Sequence, residues 1–162
     1  MKKYIGTKII HATPMNKGKY NEYRGWEHPP NEDPAEDGFL VEYQDGGKAN
    51  DPRHKGYISW SPYDAFDKAY RPMRSLTFGL AVEAVKNGLK VARDGWNGKG
   101  MFIFLVPGSQ FTVNRAPLNT IYPKGTLIDY RAHLDMKTAE GSIVPWIASQ
   151  TDVLAEDWKI VE

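Results

Sequence analysis

The segment that most limits how this chain can fold is Thr77–Gly88. Thr77 is placed to cap a helix, Phe78, Ala81, Val82 and Val85 follow the i, i+3, i+4, i+7 spacing of one helical face, and Gly88 is placed to end it. The chain beyond Gly88 reads mainly as strands. Leu89–Arg93 is strand-like, residues 94–100 (Asp-Gly-Trp-Asn-Gly-Lys-Gly) are rich in turn formers, and Met101–Val106 is a continuous apolar run of strand length, predicted to be buried, that stops at Pro107-Gly108. Gln110–Val113, Leu127–Tyr130 and His133–Met136 add further strands. Ala139–Gly141 resembles a hairpin turn before Ser142–Trp146, a short helical turn spans Thr151–Asp157, and Trp158–Val161 closes the chain as a strand. One principal helix (about 77–87) among short, turn-linked strands predicts an α+β fold with a curved, mainly antiparallel sheet.

The first 72 residues read as a separate module. Residues 4–10 are strand-like. Thr13–Gly38 is polar and interrupted by prolines at 29, 30 and 34, which argues against regular structure there. Phe39–Tyr43 and Gly56–Trp60 form a candidate hairpin about the Asp45-Gly-Gly47 turn. Ser61 is placed as the N-cap of a helix with Pro62 in its first turn, and Ala65, Phe66 and Ala69 share one face, with Tyr70 beside them. Proline at 72 halts that helix and marks the boundary between an N-terminal hairpin-and-helix module (1–72) and a second domain (73–162).

Composition removes several function classes. Twenty-one basic residues against twenty acidic ones give +1, so nothing draws the whole chain to a nucleic acid polymer or an acidic membrane. The absence of cysteine excludes disulfides, thiolate metal sites and a cysteine nucleophile. No apolar run approaches the ~20 residues of a membrane span, and the start does not read as a secretory leader, so a cytosolic protein is expected. The four histidines, at 11, 28, 54 and 133, form no helical metal pair, and neither a nucleophile elbow nor a phosphate loop is present. The expectation is a chain with no catalytic set, no metal and no cofactor.

Binding is better supported. Five tryptophans, nine tyrosines and six phenylalanines are many for a chain of 162 residues, and Trp26, Trp96 and Trp146 sit among Gly, Asn, Ser and Pro. An aromatic ring on such a turn can stack on a nucleobase, worth roughly 1–3 kcal/mol per base in single-strand binders, with backbone N–H groups nearby for an anion. The alternative is that these tryptophans staple loops onto a small core.

Gly95-Trp-Asn-Gly-Lys-Gly-Met101 and the stretch from Pro145 to Trp158 (Pro-Trp-Ile-Ala-Ser-Gln-Thr-Asp-Val-Leu-Ala-Glu-Asp-Trp), with Leu76–Gly79 and Val91–Arg93, resemble the second Thoeris anti-defence family over about residues 74–162. Residues 1–72 resemble an N-terminal extension of phage-borne relatives. The resemblance implies a sponge. Thoeris-type defence makes a cyclic ADP-ribose isomer (glycocyclic ADP-ribose) that activates a killing effector, and family members bind that signal and hold it unchanged in the cytoplasm of the infected host. It further implies a homo-oligomer, typically a tetramer, with ligand sites at subunit contacts, and in some relatives a second site for cyclic dinucleotides.

Carried onto this sequence, the resemblance makes Phe78 and Trp96 walls of an adenine site, and Asn97 with the Gly98–Gly100 backbone a contact for phosphate or ribose. It makes Arg93 a partner for the pyrophosphate. Trp146, Ala148, Ser149, Gln150 and Asp152 complete the ligand-binding set, with Asp152 accepting from ribose hydroxyls. The residues alone leave Phe78 open as a buried helix residue, Asp152 as a helix cap and Arg93 as a strand flank. The competing reading is an adaptor protein docking on a host protein through aromatic patches.

Overall fold

The computed structural model describes residues 1–3, 6–45 and 47–162. Tyr4 and Ile5 of the expected opening strand, and Gly46 of the expected hairpin turn, lie outside the described residues. The chain divides into two compact units, Met1–Arg71 and Pro72–Glu162, each with its own core.

The first unit runs β1 (Ile10–Pro14), α1 (Lys17–Arg24), β2 (Gly38–Tyr43), β3 (Ile58–Pro62) and α2 (Tyr63–Ala69). Its three strands form an antiparallel sheet in the order β1-β2-β3, with Ile10 opposite Tyr43 and Leu40 opposite Trp60. The opening strand therefore starts at Ile10, at the end of the segment expected to form it. Helix α1 lies inside the stretch read as irregular. Its ends explain it: the Asn16 side chain accepts from the Lys19 N–H at 2.9 Å, and Gly25 takes the left-handed conformation (φ 68°) at the other end. Between them Tyr20 is buried against Leu40 and Ile58, while the three prolines lie beyond the helix. Asn16→Ala should cost the first unit about 1 kcal/mol in urea unfolding; an unchanged midpoint would mean the cap contributes nothing. Ser61 is not the cap of α2. It belongs to β3, and Pro62 occupies the cap position without a side-chain bond, so α2 is held through the stacking of Phe66 on Phe39 at 4.0 Å.

The second unit runs α3 (Phe78–Lys86), β4 (Lys90–Arg93), β5 (Phe102–Val106), β6 (Ser109–Thr112), α4 (Leu118–Ile121), β7 (Leu127–Tyr130), β8 (His133–Lys137), β9 (Ile143–Pro145), the helical turn α5 (Gln150–Val153) and β10 (Trp158–Val161). Five strands form an antiparallel sheet in the order β10-β4-β5-β8-β9, and β6 and β7 make a separate two-stranded sheet. The fold is α+β. Thr77 caps α3, accepting from the Leu80 N–H, and Gly88 follows it at φ 83°. The helix buries Ala81, Ala84 and Val85 against Leu76, Val91, Ile103 and Trp158, so Ala84 rather than Val82 completes its fully buried face. The apolar run on β5 is only partly interior. Ile103 is buried, whereas Phe102, Phe104 and Val106 alternate onto the opposite face of the sheet from α3 and stay half-buried. Leu76 bridges to Trp158 through N–H···O bonds of 2.7 and 3.2 Å, tying the segment before α3 to the start of β10.

Candidate functional site

Where α3 begins, β4 ends and β10 begins, four aromatic rings meet. Trp158 is fully buried and acts as the hub. The ring centres of Trp96, Phe78 and Trp146 lie 5.4, 5.6 and 6.0 Å from it, and Trp96 and Trp146 meet edge-to-face at 6.2 Å. Such geometries are favoured by the ring quadrupoles. Phe78, Trp96 and Trp146 each remain half-buried, so together they present aromatic surface above a fixed floor. Phe78 belongs to the second unit's core and to this surface alike.

Polar groups underlie the rings. Asp152 Oδ1 accepts from Arg93 Nη1 at 2.8 Å and from the Trp96 indole N–H at 3.2 Å. Its Oδ2 accepts from the Ser149 hydroxyl and backbone N–H at 2.7 and 3.0 Å. The second pair closes a capping box, because the Asp152 N–H donates back to the Ser149 hydroxyl oxygen. The Trp158 indole donates to the Asp152 carbonyl at 2.9 Å. Asp157 completes the arrangement, accepting from Arg93 Nε at 2.8 Å and from the Gly95 N–H at 2.7 Å. Trp96 is thereby fixed from both sides, through its indole to Asp152 and through its loop to Asp157.

Burial raises the Asp152 carboxyl, but the hydrogen bonds from Ser149, Arg93 and Trp96 outweigh it and take the pKa from an ordinary 3.8 to about 2. The Arg93 guanidinium, with the Gly95 N–H, holds Asp157 below the ordinary carboxylate range. Two carboxylates against one guanidinium leave this cluster with a formal charge of −1. Arg93 is thus compensated twice over within the chain, which is a poor start for neutralising a pyrophosphate. Asp152 has donors on both oxygens and its hydrogen bonds to ribose would have to displace them. The geometry makes both residues supports for the rings.

The remaining expected residues stand around this centre. Asn97 and Gln150 are exposed, and among the described residues their side chains have no hydrogen-bond partner. Gly98 is half-buried, and a side chain there would collide with Met101 and Ala139. Ala148 is half-buried and Ser149 is committed to the capping box. Asp157 and Trp158 escaped the sequence reading as site residues although they end the second of the two long motifs. Trp158 read as an ordinary strand start, and no local spacing ties Asp157 to Arg93. Among the described residues no three His, Asp or Glu side chains are grouped to hold a metal, and no helix is long and apolar enough to cross a membrane.

Residues 76–161 match the model of the Thoeris anti-defense 2-like domain. The chain belongs to that family. It is also similar to Thoeris anti-defense 2 of Bacillus phage SP01, at 40% identity over 89 residues that make up 53% of this chain and 94% of the relative. Family membership supports a phage anti-defence role. The four rings, Arg93, Ser149, Asp152 and Asp157 all fall within the matched span, whereas the first unit falls outside it.

Proposed function

We propose that the chain sequesters a nucleotide-derived immune signal, a cyclic ADP-ribose isomer of the glycocyclic ADP-ribose type, and thereby keeps it from the Thoeris effector. The observation that carries this reading is the convergence of Phe78, Trp96 and Trp146 on the buried Trp158. The half-buried rings offer faces for a base. The exposed amides of Asn97 and Gln150 and the Gly98–Gly100 backbone offer donors for ribose and phosphate. The chain is not an enzyme in this reading: the site holds the ligand and returns it intact, since its carboxylates are ionised and bound to donors rather than free to act as acid and base. The protein works as a homo-oligomer, a tetramer by family analogy, and the exposed Ile147 and Leu154 within the second motif suit an assembly contact. Cyclic dinucleotides are a further candidate ligand class.

The test mixes protein and signal, confirms that effector activation disappears, then heat-denatures the protein and assays the supernatant. Intact, active signal is expected; conversion of a molar excess to product would make the protein an enzyme. Trp96→Ala should weaken binding by about 1–3 kcal/mol, roughly five- to 150-fold, with the fold retained. Parent-like affinity would remove Trp96 from the site. The exposed apolar residues Ile143, Val144, Ile147 and Leu154 favour one second reading, an adaptor that docks on a host protein. Thermal shift separates the two, because a ligand at 100 Kd stabilises its receptor by ~2.7 kcal/mol and leaves an adaptor unmoved.

A further inference from the structure

We propose that the first unit carries a reactive tyrosine: the Tyr23 hydroxyl is a nucleophile that takes an acyl group from activated carboxylic esters, with His54 as its base and Glu42 positioning that base. The geometry is a three-member chain. Glu42 Oε2 lies 2.8 Å from His54 Nδ1, and His54 Nε2 lies 2.8 Å from the Tyr23 hydroxyl. A nucleophile within hydrogen-bond reach of a base, itself oriented by a third group, is the arrangement that activates hydroxyls for covalent chemistry.

The surroundings set the tautomer. Glu42 Oε1 accepts the Lys55 and Gly56 N–H groups, each at 3.1 Å, while Oε2 faces the imidazole. The hydrogen bond from His54, helped by that from Gly56, holds the Glu42 carboxyl below its ordinary range, so it is ionised and acts only as an acceptor. In the neutral imidazole, His54 Nδ1 then carries the proton toward Glu42, which leaves the Nε2 lone pair facing the tyrosine O–H. His54 and Glu42 side chains are 15% and 16% exposed, which shields the chain from competing water without closing it off.

A cation lies over the Tyr23 ring. The Arg53 guanidinium sits 3.6 Å from the centre of the Tyr23 ring, where it favours negative charge developing on the phenol. Arg53 is held there by Asp51 through Nε and Nη2, at 2.8 and 2.7 Å, and by the Tyr23 carbonyl at 2.6 Å. The carboxylate of Asp51 is buried and also accepts the Arg53 N–H. Asn50 pins the same loop to β3, donating to the Ile58 carbonyl and accepting its N–H. The parts are preorganised, as a reactive site requires.

In the acylation step, Tyr23 Oη bonds to the ester carbonyl carbon while its proton passes to His54 Nε2, the imidazolium being stabilised by Glu42. The ester C–O bond then breaks, and Nε2 returns the proton to the departing oxygen. The product is an acyl-tyrosine and a free alcohol or phenol.

p-Nitrophenyl acetate is the probe, used with the full chain. Time-resolved peptide mapping compares Tyr23 with Tyr57 and Tyr63, which are 46% and 52% exposed and would react first if access alone decided. Tyr23 is expected to acylate at least ~10²-fold faster than either, the size of general-base assistance. The release of one p-nitrophenolate per chain should vanish in Tyr23→Phe, and in His54→Asn any labelling of Tyr23 should fall to the rate of Tyr57. Labelling of Tyr23 no faster than the two exposed tyrosines overturns the proposal without any variant, and so does an acetyl group that resides on His54 with Tyr23 unmodified.

Discussion

Trp158→Ala is expected to cost the second unit about 3–5 kcal/mol, more than any other single truncation in the ring cluster. The side chain is fully buried, is the common neighbour of Phe78, Trp96 and Trp146, and donates its indole N–H to the Asp152 carbonyl. Its removal opens a cavity lined by rings that cannot close over it without leaving their own positions. Against a typical total of 5–15 kcal/mol, that loss takes the unit close to unfolding at ordinary temperature. Urea titration followed by far-ultraviolet circular dichroism measures it. Trp158→Phe, which keeps a ring and loses the donor, should retain more than half of the difference. A Trp158→Ala protein within ~1 kcal/mol of the parent would show that the hub is dispensable.

Asp152→Ala should come next, at about 3 kcal/mol, because it strands donors on Arg93, Trp96 and Ser149 in a largely buried place. The pH dependence has a definite sign. The folded carboxyl titrates at about 2 against an ordinary 3.8, so its contribution is fully present above about pH 4 and disappears as the pH falls toward 2. The shift corresponds to on the order of 2 kcal/mol. Asp152→Asn lacks that titration. The stability gap between parent and Asp152→Asn should therefore be wide at neutral pH and narrow from about pH 4 downward. A gap that holds its width down to about pH 2 would assign the stabilisation to something other than the ionised carboxylate.

Local signals carried the reading of the fold where both ends of an element were marked on the chain. Helix α3 has a capping threonine, a periodic face and a terminal glycine within a dozen residues, and its strand neighbours have apolar runs bounded by turns. Helix α1 has marks of the same kind in Asn16 and Gly25, but a mostly polar segment lies between them. Its fixing contact, Tyr20 on Leu40 and Ile58, comes from residues far along the chain. The site divides in the same way. Trp96 and Trp146 stand out by type and by their surroundings of Gly, Asn, Ser and Pro, as Trp26 does, whereas Phe78 reads as one of the apolar residues on a helix face. The role of Asp157 is set by an arginine 64 positions earlier, and the commitment of Asp152 by partners at 93, 96 and 149. The Ser149–Asp152 spacing is a local capping-box signal, but no pattern in the sequence encodes the approach of Arg93 and Trp96, and the acceptor role expected for Asp152 meets a carboxylate whose oxygens already have donors.

The three clustered indoles also form an optical unit. With ring centres 5.4–6.2 Å apart, Trp96, Trp146 and Trp158 are close enough for their transition dipoles to couple and for excitation to pass among them before emission. Within the first unit, Trp26 meets Tyr20 edge-on and Trp60 packs on the Tyr20, Leu40 and Ile58 core. A molecule that stacks on Trp96 or Trp146 would quench or shift light absorbed by the whole trio, including the buried member it never touches. The chain would then report occupancy through its own tryptophan fluorescence, excited at the absorption maximum rather than at the red edge, where transfer between indoles fails.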